Sequence, residues 1–309
     1  MTNDNYILLT YPHSKIIEIY GNMLVDCYNH IIEQISNTNS KILLLDKENK
    51  YNIFSPNIKK MNNIEYNDIW VGDFFPIKWY DGRHIRFKFE PIYYKDNYED
   101  GEVYKNFIKE EDIINFNIIL DGGSISFTKD YIFISDIIYR DNDSLSIKQF
   151  YDDLYFKLNV KSIIEIPHGP ANKLGHLDSY MRVLESCDKN INEKIIIAKF
   201  PKSFKIRNDF SDKIINIISK ECNIDMIEFD CEKPEYKIKS CGLESNYGNY
   251  LNFIQFNNEV YIPKYTDLVN ECINKFPNGY NVNIIDDLNG YMSYLSHYGG
   301  SLYCISSIF

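Results

Sequence analysis

No Cys-x-x-Cys pair occurs among the seven cysteines, at positions 27, 187, 222, 231, 241, 272 and 304. An odd, scattered set of this kind fits neither a disulfide framework nor a zinc site, and most of these thiols are expected in the interior, where free cysteine is commonest. The chain also lacks a Gly-x-Gly-x-x-Gly fingerprint, which weighs against a dinucleotide-binding fold. Residues 1–12 carry no basic segment followed by a long apolar run, so neither a signal peptide nor a membrane span is expected, and the default address is the cytoplasm. Positive charge is in deficit. A formal net charge of −11 argues against nucleic acid as a partner and gathers cationic ligands around the molecule.

What is present is a chain of 309 residues, 44% hydrophobic and 25% charged, enough to bury a sizeable core. Residues 6–10 read as a short buried strand ended by Tyr11-Pro12. Apolar residues then recur at helical spacing over 14–36. A second strand is expected at 41–45, a loop with one weak amphipathic segment at 46–67, and a strand at 69–77 broken by Pro76. The stretch 85–89 alternates as a hairpin partner should. Further strands are expected at 118–120, 124–127, 131–134, 162–166, 195–198, 226–229, 249–254, 260–262 and 282–285, with helices at 145–158, 208–221 and 264–275 and a short turn or helix at 286–293. Strand pairs thus alternate with single helices in ββαβ-like units without an exact sequence repeat. This favours a repeated α/β barrel or propeller, in a single domain spanning 1–309, because no linker divides the chain.

Four stretches carry residue types that chemistry would choose. Gly299-Gly300-Ser301-Leu302-Tyr303-Cys304 places a thiol on an apolar, strand-like run after a double glycine; a buried structural cysteine is the plain alternative. Trp70-Val71-Gly72-Asp73 sets an acid in an apolar strand, and a buried carboxylate requires a partner or a proton. In Gly175-His176-Leu177-Asp178, an extended backbone would point His176 and Asp178 to one face. In Asn249-Tyr250-Leu251-Asn252-Phe253, a polar Asn252 interrupts an apolar strand and must satisfy its amide internally.

Taken in order with Tyr11-Pro12, Pro76 and Asp121-Gly122-Gly123-Ser124, these motifs resemble the agmatine deiminase and bacterial peptidyl-arginine deiminase family, of the guanidine-modifying pentein superfamily, over nearly the whole chain. The resemblance implies a five-bladed pseudosymmetric α/β propeller and hydrolysis of a guanidino compound through a covalent cysteine intermediate, without cofactor or metal. It implies Cys304 as nucleophile, His176 as general acid/base, and Asp73 and Asp178 as the carboxylates on the guanidinium. Trp70 would line the substrate channel and Asn252 support the site. A planar guanidinium with paired N–H donors suits two carboxylates holding its carbon over a sulfur.

The family pattern is altered at Gly72 (arginine in the family), Phe75 (glycine), Ser301 (glycine) and Tyr303 (histidine). Asp121 stands where the family has Glu, and Asn172, followed by Lys173, where agmatine deiminases have an acid suited to a second cationic end. The run Arg83-His84-Ile85-Arg86 is a candidate reader of a substrate carboxylate, or else a solvated hairpin. A small cationic guanidino substrate is expected, agmatine first and free or peptidyl arginine next, with no nucleic acid or membrane partner; a homo-oligomer is compatible with the sequence. The alternatives are a catalytically silent protein with the same fold and an amidinotransferase.

Overall fold

The computed structural model describes residues 5–90, 98–169, 174–186, 192–233 and 245–309. The chain opens with β1 (Ile7–Thr10), whose four side chains are all buried. Two helices follow, α1 (Ser14–Tyr20) and α2 (Met23–Ser36), where one helix over 14–36 was expected. The break is Gly21, at φ +90, where a Cβ would lie 2.8 Å from the Tyr294 hydroxyl; an L side chain is strained there. Helix α2 buries Leu24, Cys27, Tyr28, Ile31, Ile32 and Ile35, an apolar stripe at helical spacing. Strand β2 (Ile42–Leu45) pairs in parallel with β1, and β3 (Ile58–Met61) in parallel with β2. The stretch 46–67 therefore holds a strand that its half-exposed, lysine-bearing pattern concealed.

Helix α3 (Val71–Phe74) replaces the strand expected over 69–77. Gly72 N–H donates to the Cys304 carbonyl at 2.9 Å and Asp73 N–H to the Trp70 carbonyl at 3.0 Å, so one helical turn is held against the C-terminal segment. Phe75 is extended, as the residue before Pro76 tends to be. Three units then repeat a common plan. Strands β4 (Ile77–Lys78) and β5 (His84–Lys88) are antiparallel, and β6 (Ile113–Ile119) lies parallel to β5. Strands β7 (Ile125–Phe127) and β8 (Tyr131–Ser135) are antiparallel; after α4 (Ile138–Asp141) and α5 (Ser144–Leu158), β9 (Ser162–Ile166) returns parallel to β8. Asp143 caps α5 by accepting from Leu145 and Ser146 N–H, and Asn159 ends it in the left-handed region. Strands β10 (Met181–Leu184) and β11 (Lys194–Lys199) are antiparallel, and after α6 (Lys205–Glu221) β12 (Met226–Asp230) is parallel to β11. Strand β10 was not expected.

A further unit joins β13 (Ile254–Phe256) to β14 (Glu259–Pro263) through the expected turn at Asn257-Asn258, and β15 (Asn281–Ile285) follows α7 (Val269–Asn274), parallel to β14. After α8 (Tyr291–Ser296), β16 (Ser306–Ile308) pairs antiparallel with β1 and completes the first sheet. Among the described residues there are thus five small sheets, one of four strands and four of three, each combining an antiparallel with a parallel pair in a mixed α/β fold. A cavity of about 310 Å³ is lined by a residue from each of β4, β7, β10, β13 and β16, namely Lys78, Ser126, Val183, Gln255 and Ser307. No described helix is long and apolar enough to cross a membrane.

Candidate active site

The segments that precede the short antiparallel strands carry the candidate site residues. Asp73 sits on α3, just before β4. Asp121 precedes the turn Gly122–Ser124 that leads into β7. His176 and Asp178 lie at the turn Leu177–Ser179 before β10. His176 is extended, but Asp178 lies within a helical turn, so strand alternation does not explain their convergence. Asn252 lies just before β13, outside the strand expected to contain it. Cys304 stands in a turn before β16, where Ser306 N–H donates to the Tyr303 carbonyl at 3.1 Å. The strand-like Leu-Tyr-Cys-Ile run is thus bent, which places the sulfur beside the other segments.

Asn252 ties this group together. Its Nδ2 donates to Cys304 Sγ at 3.3 Å and Asp178 Oδ2 at 3.3 Å, while its Oδ1 accepts from Tyr303 N–H at 2.9 Å and Cys304 N–H at 3.4 Å. Cys304 Sγ lies 3.5 Å from Asp178 Oδ2. The imidazole of His176 is gripped on both edges: Nε2 is 3.2 Å from Asp121 Oδ2 and Nδ1 is 3.8 Å from Asp73 Oδ1. Gly123 sits under this ring, where a Cβ would come within 2.5 Å of Nδ1. Asp121, expected at the substrate, is in contact with His176.

Charge follows from this crowding. Burial alone would lower the pKa of His176, but Asp73, the hydrogen bond to Asp121 and the charge of Asp178 outweigh it and raise the pKa, so the ring is held protonated. Burial raises the pKa of Asp73 against the opposing pull of His176, and burial also raises that of Asp178. The Cys304 thiol is pushed well up by burial, then by Asp178 and Asp73, so it is neutral at neutral pH.

Trp70 is partly buried and lies over Gly300, where a Cβ would approach its ring to 2.3 Å. Trp70 Nε1 donates to the Tyr20 hydroxyl at 3.1 Å, which reaches Asp68 Oδ1 at 3.4 Å. The departures at 72, 75, 301 and 303 are all packed into the fold. A Cβ on Gly72 would lie 2.8 Å from the Tyr303 carbonyl oxygen. Phe75 meets Phe107 and Phe309 with ring centroids at 6.3 and 6.1 Å, and Ser301 Oγ is 3.0 Å from the Tyr265 hydroxyl. Tyr303 lies 3.9 Å from the Arg182 guanidinium, which also meets the Phe253 ring at 4.0 Å. Arg182 also donates to the Leu251 carbonyl at 3.2 Å and to that of Phe253. It is a member of this region that sequence reasoning missed, although a lone arginine within Met-Arg-Val-Leu was a signal available to it.

Asn172 and Lys173 fall outside the described residues. Arg83 pairs with Asp81 at 2.6 Å and Arg86 with Glu102, so both guanidiniums of the 83–86 run are engaged by neighbouring acids.

Comparison with solved structures finds the same fold in C. jejuni agmatine deiminase, at 23% identity and TM-score 0.76 over 98% of this chain and 92% of that one. Agmatine deiminase of Enterococcus faecalis matches at 14% identity and TM-score 0.74 over 98% and 92%. DDAH from Pseudomonas aeruginosa matches at 14% identity and TM-score 0.59 over 98% of each chain. No curated protein sequence matches the chain. Residues 1–308 match the model of the Porphyromonas-type peptidyl-arginine deiminases. The chain therefore belongs to the Porphyromonas-type peptidyl-arginine deiminase family, hydrolases of amidine C–N bonds.

Proposed function

We propose that the chain hydrolyses a small guanidino compound, agmatine first and free or peptidyl arginine next, through a thiouronium on Cys304 at the axis of a five-bladed α/β propeller. The propeller reading is supported by the five repeated sheets and by the cavity that one strand of each sheet lines. The observation that carries the chemistry is the convergence of Cys304, Asp178 and Asn252 within hydrogen-bond reach, with His176 set between Asp73 and Asp121. It is a site rich in negative charge around one sulfur, suited to a planar cation.

A guanidinium held by Asp73 and Asp178 would cancel the charge that keeps the thiol protonated, and Cys304 would lose its proton to solvent as substrate binds. The sulfur then bonds to the guanidinium carbon. Protonated His176 gives its proton to one nitrogen, the C–N bond breaks, and ammonia leaves a thiouronium. The imidazole, now neutral, takes a proton from water as the water oxygen attacks. The C–S bond breaks, the ureido product departs, and the sulfur regains a proton. Asn252 holds the Cys304 loop and Asp178 in register throughout, and Trp70 walls the approach.

The test is ammonia and ureido-product release from agmatine, arginine, and peptides with internal or C-terminal arginine, with no amine acceptor added. Turnover of at least one substrate, lost by about 10⁴-fold or more in Cys304→Ala, is expected. A folded protein that releases no ammonia from any of them overturns the proposal.

A further inference from the structure

Arg182 is a buried cation, 8% exposed, that the reaction as described does not use. It follows Asp178 by four residues on β10, and its backbone is fixed in register opposite Ile196 of β11, so the side chain starts from a rigid base. A guanidinium that leaves water must replace its hydration with partners, and the partners of this one identify its task.

They lie on two segments that the site must hold together. Arg182 Nη1 donates to the Leu251 carbonyl at 3.2 Å and to the Phe253 carbonyl, on the residues to either side of Asn252. The central carbon of the guanidinium lies 4.0 Å from the centre of the Phe253 ring and 3.9 Å from that of Tyr303, within cation–π range. Tyr303 in turn gives its N–H to Asn252 Oδ1 at 2.9 Å. Arg182, residues 251–253 and Tyr303 thus form a closed circuit of contacts, and Cys304 is the next residue along. Burial raises the pKa of Asp178, and the charges of His176 and Arg182 oppose it; burial raises that of Glu185 too, with Arg182 again in opposition. Lysine could supply that charge but not the contacts. An ammonium has no flat face, whereas a planar guanidinium can lie on a ring and donate from its edge at once.

We propose that Arg182 is a positioning residue for the hydrolysis: by gripping residues 251–253 and the Tyr303 ring together, it sets Asn252 and the Cys304 sulfur in one register with Asp178. This rests on the reading of Cys304 as nucleophile. Tyr303, which stands where the family has histidine, is then the face on which the clamp closes. Two rings and two carbonyls on one guanidinium are a geometric demand, so the shape of the group matters more than its charge.

The test compares Arg182→Lys, Arg182→Met, Tyr303→Leu, Tyr303→Phe and the double variant Arg182→Lys/Tyr303→Leu in the full chain, with circular dichroism and melting temperature as checks of folding. Displacement of a reacting group by about 1 Å costs about 10²-fold. We expect kcat to fall by about that factor in Arg182→Lys, Arg182→Met and Tyr303→Leu, with KM moving far less. Tyr303→Phe keeps the ring and should recover most of what Tyr303→Leu loses. The double variant should be no slower than the slower of its two single variants, as two parts of one clamp require. Full turnover in Arg182→Lys, losses that multiply in the double variant, or a fall in kcat matched by a fall in the folded fraction would each overturn the proposal. Hydrogen exchange of the peptide carrying Tyr303 and Cys304, read by mass spectrometry without substrate, separates this from failure of the deiminase reading. These amides should exchange at least about tenfold faster in Arg182→Lys; unchanged exchange would overturn the clamp whether or not any guanidino compound is turned over.

Discussion

Asn252 is a single side chain with five jobs to hold at once: two donor contacts from Nδ2, two amides accepted by Oδ1, and a second approach of Oδ1 to Cys304 Sγ at 3.6 Å. Removing its amide in Asn252→Ala leaves the Tyr303 and Cys304 N–H groups unpaired and the sulfur free to wander, and displacement of a reacting group by about 1 Å costs about 10²-fold. We expect turnover to fall by about that factor with a smaller change in KM, read by steady-state kinetics. The protonation state of Cys304 is testable without turnover. Since burial and the carboxylates hold the sulfur as a thiol, uncharged iodoacetamide should label Cys304 slowly at neutral pH, at a rate that climbs beyond pH 9. A haloacetamidine carries its own positive charge and should label Cys304 quickly at pH 7, ahead of the other cysteines; mass spectrometry of the adducts decides. Equal rates for the two reagents at pH 7 would remove the argument that a cation sets the thiol's pKa. At this scale much was legible in the sequence: Cys304, His176, Asp73, Asp178 and Asn252 were all named from motif order, and the structure brings them together. Arg182 was not, because its significance lies in rings at Phe253 and Tyr303 that only the fold brings to either face of it.

Among elements, α3 shows why a strand reading failed. Its four residues are apolar enough for a strand, and nothing in their order announces that Gly72 will dock on the Cys304 carbonyl; the helical turn exists because of a partner more than two hundred residues away. Strand β3 failed for the opposite reason: its exposed lysine face looks like loop, and it is fixed by β2 at its side. Helices α2, α5 and α6 were legible, since their apolar stripes are local. The glycine turn Gly122–Ser124 is the element on which His176 depends. In Gly123→Ala the added methyl would intrude on the imidazole at 2.5 Å from Nδ1 and turn the ring off its two carboxylates. We expect a loss of turnover of about 10²-fold or more with a melting temperature that moves by only a few degrees, a separation that kinetics and thermal unfolding report side by side.

For the whole molecule, the repeat of strand pair, helix and parallel strand was visible as pattern, whereas the closing of the first sheet by β16 was not, because no periodicity links β1 to it. Stability should carry the mark of buried acids. Asp68 is 3% exposed, its Oδ2 has no partner among the described residues, and burial raises its pKa to about 8. The folded protein therefore keeps this proton up to about pH 8, while the unfolded chain releases it near the ordinary carboxyl value of about 4. Stability is full below the unfolded value and falls as pH rises through this window. Asp100, raised to about 6 by burial, acts in the same direction. Thermal unfolding at pH 5 and pH 8 should show a drop in melting temperature that shrinks in Asp68→Asn; an unchanged drop would mean that Asp68 is ionised in the folded state.

The pairing of β1 with β16 sets Ile7 opposite Ile308, with Tyr6 and Phe309 exchanging backbone hydrogen bonds at 2.8 and 3.0 Å. Such a join closes a loop that spans nearly the entire chain, and its entropy must be met before the contact returns anything. Refolding from denaturant should therefore end in a slow phase, on the order of seconds. Cys304 lies two residues before β16 begins, so its capacity to react with a haloacetamidine should emerge with that last phase, after most secondary structure has formed. Stopped-flow circular dichroism paired with quenched labelling would follow the two clocks, and the delay between them measures how long the molecule exists as a folded body without Cys304 in place.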